Sequence, residues 1–261
     1  MNIRLDQRTA LITGSLRNTG EIIALRLAAS GARVILHSND AHDGDAELSV
    51  NGATLLIGDL ASAHGRGELL EQLAQSGLKV DILVNNYGTT APGTWTQFDE
   101  EGWLDMYQRN VLSVAQLCTE LSSGMRDRGW GRIVNLGTIG SHRPGQRMPQ
   151  YYAAKGALAT LGVSLTQALA GSGITVNTVS PGLIHTPELE AAYREKAARK
   201  GWGDDWQEIL QHIISQDYPN PCGRLARREE VADLVVFLCS DQAGFINGQN
   251  IRIDGGAIAY V

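Results

Sequence analysis

Residues 9–36 read TALITGSLRNTGEIIALRLAASGARVIL. The run TALIT (9–13) is short, apolar and β-branched, so it reads as a buried strand. It meets Gly14 and a polar turn that closes at Gly20. Residues 21–30 then carry apolar side chains at helical spacing and stop at Gly31, a residue suited to a helix C-terminus. A second strand is expected at 33–36, which leaves His37 beyond its end. A strand, a glycine-bearing turn, a helix and a further strand make the opening unit of a doubly wound α/β fold. In such a turn the glycines let backbone approach a phosphate, while the helix start offers free N–H groups and a positive dipole end. The spacing is not G-x-G-x-x-G, because Asn18 stands between Gly14 and Gly20. A plain glycine-rich turn therefore remains open as the other reading.

The alternation continues along the chain. Strands are expected at 53–57, 82–85 (after Asp81), 132–136, 175–179 and 250–253, the last running into Asp254-Gly255-Gly256. Helices are expected at 67–75, closed by Gly77, at 99–126, from Tyr151 to about 170, and at 229–239. The strands are apolar throughout rather than alternating, which implies a parallel sheet covered on both faces. No repeat, low-complexity tract or Pro/Ser linker divides the sequence. The predicted fold class is α/β, a single doubly wound Rossmann-type domain over 1–261 with helices on both faces of a parallel sheet.

Composition excludes some functions. A net charge of −6 without a basic run argues against a nucleic-acid partner. The N-terminus is charged and then enters a short strand, and no stretch reaches transmembrane length, so a cytoplasmic protein without a membrane partner is expected. Cys118, Cys222 and Cys239 are too scattered for a metal-ligand cluster and read as incidental thiols of a reducing compartment.

The chemistry concentrates in 131–156, GRIVNLGTIGSHRPGQRMPQYYAAKG. Tyr151 and Lys155 are one helical turn apart and share a face. A phenol beside an ammonium loses its proton more easily, because the cation stabilises the phenolate. Thr138, at a strand end, can aim a hydroxyl at the same point. Two hydroxyls and an ammonium suit proton transfer at a carbonyl or alcohol. Taken alone, the pair also fits a helix with a chance Tyr and Lys.

Further motifs fall in order: TGSLRNTG at 13–20, GDL at 58–60, NNYG at 85–88, Asn110, IVNLGT ending at Thr138, YYAAK at 151–155, SPGLIHTP at 180–187 and DGG at 254–256. Over essentially its whole length the chain resembles the short-chain dehydrogenase/reductase family. It is most similar to the group that includes 3-oxoacyl-carrier-protein reductases and hydroxysteroid dehydrogenases. The resemblance implies that Tyr151 is the acid or base at the substrate oxygen. It implies that Lys155 lowers the tyrosine pKa and binds the nicotinamide ribose, and that Asn110 holds a water of a proton relay. Thr138 stands where the family has serine. It keeps the hydroxyl but adds a methyl that stiffens χ1, which implies a narrowed or shifted substrate range. Ser141 is the less favoured substitute, and Tyr152 reads as a wall residue.

On the cofactor side, Gly14 and Gly20 match two family glycines and Asn18 replaces the third, a residue that tolerates left-handed backbone angles. The resemblance implies that Thr19 meets the pyrophosphate, that Asp59 and Leu60 meet the adenine, and that Asn86 and Gly88 line the adenosine ribose. After Pro181 and Gly182, Ile184 and Thr186 would hold the carboxamide and phosphates. Tyr87 replaces a usual alanine, with no explanation in the sequence. NAD-preferring members carry Asp at the position of Ser38. Here Arg17, Ser38 and Asn39, with His37 if protonated, suit a 2′-phosphate, so NADP(H) is expected over NAD(H) despite Asp40 and Asp43 nearby. Residues 188–218 are expected to form a substrate lid hinged at Gly201 and Gly203, or else an ordinary helical pair. His142, Arg143 and Arg147, near the pocket mouth, are expected either to meet an anionic or carrier-bound substrate or to form a solvated face. The implied function is hydride transfer between NADP(H) and a ketone, secondary alcohol or 3-oxoacyl group. The alternatives are an NAD-linked alcohol or hydroxysteroid dehydrogenase, and a non-catalytic dinucleotide-binding regulator. A homo-oligomer, tetramer or dimer, built through the helices at 99–126 and 151–170 is implied as well.

Overall fold

Successive side chains of a strand point to opposite faces, so a strand with no polar interior position must be covered on both sides. The computed structural model, which describes residues 3–40, 42 and 49–260, shows this arrangement. Seven strands are β1 (Thr9–Ile12), β2 (Arg33–Ser38), β3 (Thr54–Ile57), β4 (Ile82–Asn85), β5 (Gly131–Leu136), β6 (Ile174–Pro181) and β7 (Asn250–Ile253). They form one parallel sheet in the order β3-β2-β1-β4-β5-β6-β7. The first helices are α1 (Asn18–Ala29), α2 (Ala63–Ser76), α3 (Glu100–Tyr107) and α4 (Ser113–Asp127). The remaining ones are α5 (Pro149–Ala168), α6 (Pro187–Lys200), α7 (Trp206–His212) and α8 (Arg228–Leu238).

Ala10, Ile12, Ile82, Val84 and Val134 face one core, which Ile23 and Leu27 of α1 and Val231 and Val235 of α8 complete. Leu11, Leu83 and Ile133, one residue out of phase, face the other, filled by Leu69 and Leu73 of α2, Leu117 of α4 and Leu158 of α5. Each fully buried aliphatic side chain contributes about 1.5–3 kcal/mol, so a slip of one residue in any central strand would be prohibitive. The chain leaves β1 toward β2 on one side and returns through β4 on the other. That reversal opens a crevice at the strands' C-terminal ends.

Three expectations change. The second strand runs two residues past 36, pairing His37 with Leu56 and Ser38 with Ile57, so both lie in the sheet rather than in a loop. The run at 99–126 is not one regular helix: α3 and α4 are joined by a π turn, Gln108–Leu112, that contains Asn110. The segment 188–218 holds α6, α7 and a second π turn, Ile213–Asp217, around a small core of Ala197, Ile209, Ile213 and Leu225. Gly201, at φ 68°, takes the left-handed conformation that ends α6.

Candidate active site

The turn after β1 is shaped by contacts too close for side chains. A Cβ on Gly20 would lie 2.3 Å from Gly14 O and 2.5 Å from Asn86 Nδ2, so only glycine fits there. Asn86 spends its amide on the turn itself, donating to Thr13 O and Gly14 O at 2.9 Å each. Asn18 has φ 55°, the left-handed value expected of it. Side chains of Ser62, Asp99, Thr186 and Asp205 cap α2, α3, α6 and α7, whereas none caps α1 behind Arg17. The N–H groups of its first turn are left for an anion.

Beneath this turn lies His37, fully buried. Its Nδ1 accepts from Gly14 N at 3.0 Å, and its Nε2 donates to Gly58 O at 2.9 Å, which fixes the neutral Nε2–H tautomer. Burial pushes its pKa down to about 4. The expected role as a protonated phosphate ligand is therefore overturned: both ring nitrogens are engaged and the ring carries no charge at neutral pH. Tyr87 packs edge-on to His37, with ring centroids 6.4 Å apart, and its hydroxyl accepts from Arg109 at 3.3 Å. Its bulk now has a reason, since it fills the space between the turn and the π turn. Asn39 donates to Asp59 Oδ1 at 2.6 Å, and Ala61 N donates to the same oxygen at 3.0 Å. Ser38 accepts from Asp40 N, and Leu60 O accepts from the Arg66 guanidinium. Arg17 is exposed at the rim.

A cleft runs from this turn to the end of β5. Seven of the expected site residues line it: Thr19, Asn86, Gly88, Tyr151, Lys155, Pro181 and Ile184. Tyr151 enters it from the first turn of α5, where the Thr138 hydroxyl acts on its phenol. Burial raises the Tyr151 phenol to about 12, opposed by the Thr138 hydroxyl. Lys155 Nζ lies 6.0 Å from the Tyr151 ring centroid and donates to Leu136 O at 2.7 Å. Burial lowers Lys155 to about 8. In the protein alone burial sets the direction of the Tyr151 shift, and Lys155 spends its ammonium on the Leu136 carbonyl. The phenol is held protonated, as a donor. Thr138 Oγ1 also accepts from Gly140 N at 3.2 Å, and the Ser141 hydroxyl donates to Thr138 O at 2.8 Å. Ser141 is thus turned back on the strand end. Tyr152 covers Gly140, where a Cβ would meet its ring at 2.1 Å, and so forms a wall.

Asn110 is fully buried, with Nδ2 donating to Thr89 O at 3.0 Å and Met106 O at 3.1 Å. Its Oδ1 is buried without a protein partner. A Cβ on Gly88 would lie 2.6 Å from that oxygen and 2.9 Å from Lys155 Nζ, so the oxygen and the ammonium flank one glycine. Gly182 is likewise covered: Tyr218 lies over it and donates to Asp254 O at 2.7 Å. Thr186 accepts from Leu189 N at 3.1 Å as the cap of α6.

A family model described as enoyl-(acyl-carrier-protein) reductase matches residues 14–257. The chain belongs to the short-chain dehydrogenase/reductase family. It is an oxidoreductase of that family. It is 36% identical over 250 residues to an acetoacetyl-CoA reductase of Rhizobium meliloti, covering 95% of this chain and 98% of that one. It is 34% identical over 254 residues to a 3-oxoacyl-(acyl-carrier-protein) reductase of Haemophilus influenzae, covering 95% and 97%. The L-sorbose reductase of Gluconobacter frateurii, solved with NADPH and L-sorbose, superposes with a TM-score of 0.90 at 31% identity and full coverage of both chains.

Motif reading in this short-chain dehydrogenase/reductase missed the support given by His37, the clamp made by Asn86 and the cover supplied by Tyr218. The tight fit at Gly88 was signalled only by the glycine of NNYG. Nothing local in the sequence pairs Asn18 with the start of α6, where its Nδ2 donates to Glu188 Oε1 at 2.7 Å.

Proposed function

We propose that the protein is a reversible NADP(H)-dependent reductase of a ketone or 3-oxoacyl group, with Tyr151 as general acid and base. The observation that carries this reading is the Tyr151 phenol in one cleft with Lys155 and the uncapped turn of α1. The residues fit a dinucleotide: the turn is too tight for any side chain at Gly20, and the first-turn N–H groups are unused. Gly14, Asn18, Thr19 and Gly20 would hold the diphosphate, and Pro181, Gly182, Ile184 and Thr186 the nicotinamide end. Asp59, Leu60, Asn86 and Gly88 would take the adenosine, and Arg17, Ser38 and Asn39 the 2′-phosphate. When bound, NADPH supplies the hydride.

The chain's own residues supply the proton. Thr138 orients the substrate oxygen and Tyr151 donates to it, which suits a phenol held protonated by burial. Lys155 stands behind Tyr151, and the free Oδ1 of Asn110 accepts from a water that reconnects Lys155 to solvent. Names among the relatives support a carbonyl substrate: acetoacetyl-CoA, 3-oxoacyl carrier and L-sorbose. Exposed Arg143 and Arg147, on the loop that leads to α5, favour an anionic or carrier-bound form. Residues 188–218 act as the lid. Exposed Leu112 and Val163, on the π turn and α5, favour a homo-oligomer through those helices. Among the described residues no helix is long and apolar enough to cross a membrane, and the cytoplasm is the compartment this reading assigns.

The test is oxidation of NADPH and of NADH by the purified protein with acetoacetyl thioesters, ketoses and simple ketones. Turnover with NADPH is expected, falling about 10³-fold in Tyr151→Phe. Arg17→Ala should weaken NADPH binding far more than NADH binding. Turnover unchanged in Tyr151→Phe would overturn the mechanism.

A further inference from the structure

Asn18 and Glu188 lie 170 residues apart in sequence, yet Asn18 Nδ2 donates to Glu188 Oε1 at 2.7 Å. Asn18 opens α1, directly before Thr19 on one wall of the cleft. Glu188 lies in the first turn of α6, four residues past Ile184 on the opposite wall. The bond therefore crosses the rim of the cleft. We propose that Asn18 and Glu188 form a strap that joins the phosphate turn to the lid and slows release of a bound dinucleotide. The inference rests on the cofactor reading above and concerns its kinetics.

Several observations converge on it. The left-handed backbone at Asn18, φ 55°, is one that glycine adopts more readily, so backbone geometry does not account for the asparagine. The side chain has one partner, and that partner is on the lid. Glu188 is held ionised mainly by the Asn18 bond, with Arg17 and Thr186 adding to it. A carboxylate beside a diphosphate site would repel the ligand if it were loose. Fixed by an amide, a hydroxyl and a nearby guanidinium, its charge is engaged along the rim. The far end of the lid is secured separately, by Tyr218 on Asp254 O. The near end is tied by the backbone bonds of Leu183 and His185 with Ala226, and the strap is the side-chain fastening that adds α6 to the α1 turn, so its rupture loosens the start of α6 over Thr19.

The pair can be cut without disturbing the turn. Asn18→Gly keeps the left-handed backbone and removes only the amide. Glu188→Ala removes the other half, and Glu188→Gln keeps an accepting oxygen. NADPH release is read by stopped-flow fluorescence after displacement with excess NADP⁺, and the loosening of α6 in the free protein by hydrogen exchange of 187–200. We expect release about fivefold faster in Asn18→Gly and in Glu188→Ala, a solvent-exposed hydrogen bond to a charge being of that size. The double variant should be no faster than either single one, as expected of partners in one bond. Glu188→Gln should stay close to wild type, and exchange of α6 should rise in the first two variants. Unchanged or slower release, additive effects in the double variant, or unaltered exchange would overturn the strap. Failure of the wild-type protein to bind NADPH would overturn the cofactor reading and the strap together, whereas binding with unaltered release rates would overturn the strap alone.

Discussion

Gly88→Ala isolates the geometry of the proton-transfer site. No positive φ is required at Gly88, so alanine introduces no backbone strain and its whole effect is steric. Its methyl would lie 2.6 Å from Asn110 Oδ1 and 2.9 Å from Lys155 Nζ, where ordinary contact begins at 3.4 Å. Asn110 would have to retreat by about 0.8 Å (3.4 − 2.6) and Lys155 by about 0.5 Å (3.4 − 2.9). Asn110 is anchored by two bonds from Nδ2, and its withdrawal strains both. Overpacking of this kind costs about 1–3 kcal/mol, which lowers Tm by roughly 2–10 °C in a chain of this size. Displacement of Lys155 matters more for activity, since a misplacement on the order of 1 Å costs about 10²-fold in rate. The assay is kcat for carbonyl reduction beside a thermal melt. The expected result is a kcat about 10²-fold lower in a protein that remains folded. A Gly88→Ala protein with wild-type kcat would refute the claim that Asn110 and Lys155 are held at this spacing for catalysis.

Other expectations follow from the same coordinates. Thr138→Ala should lower kcat about 10²-fold while Thr138→Ser retains activity and accepts bulkier ketones, measured as kcat/KM over a ketone panel; equal activity of Ala and wild type would remove Thr138 from the mechanism. With Tyr151 protonated to about 12 and Lys155 losing its charge near 8, kcat/KM for reduction should fall above pH 8, and Lys155→Arg should move that limb upward. A limb that stays at 8 in the variant would refute the assignment. Between pH 6.5 and about 4 the unfolded chain protonates His37 while the folded one does not, so its contribution is complete above 6.5 and shrinks as pH falls. His37→Phe should lose about 1–3 kcal/mol at pH 7 by stranding the Gly14 N–H and show a shallower acid loss in urea melts. An unaltered acid slope would contradict this.

The order of strands and helices was readable because buried parallel strands and capped helices leave local marks: apolar runs, and Gly31 and Gly77 at helix ends. The family followed from motifs that sit at the strand ends. What local pattern does not carry is which atom a side chain spends on what. His37 looked like a surface base because β2 was ended at Leu36; two more strand residues bury it under the turn. Asn86 looked like a ligand to ribose, yet its amide clamps Thr13 and Gly14 across the sheet. A helical spacing shows that Lys155 is near Tyr151 but not how far burial raises the phenol. Glu188 was out of reach, since its partner lies 170 positions away.

The π turn at 108–112 also sets how the gene for this chain can change length. A π turn carries one residue more than an α turn of the same hydrogen-bonded ladder. Deleting one residue between Tyr107 and Ser113 would turn the π turn into a regular α turn and leave α3 and α4 nearly in phase, whereas a deletion inside α3 or α4 would rotate one against the other by about 100°. A deletion in the π turn would move Asn110 from beside Lys155 while leaving Met106, in α3, beside Ala154. The stretch from α3 to α4 thus holds one residue beyond a regular helix, and Asn110, on that widened turn, is the side chain it brings to Lys155.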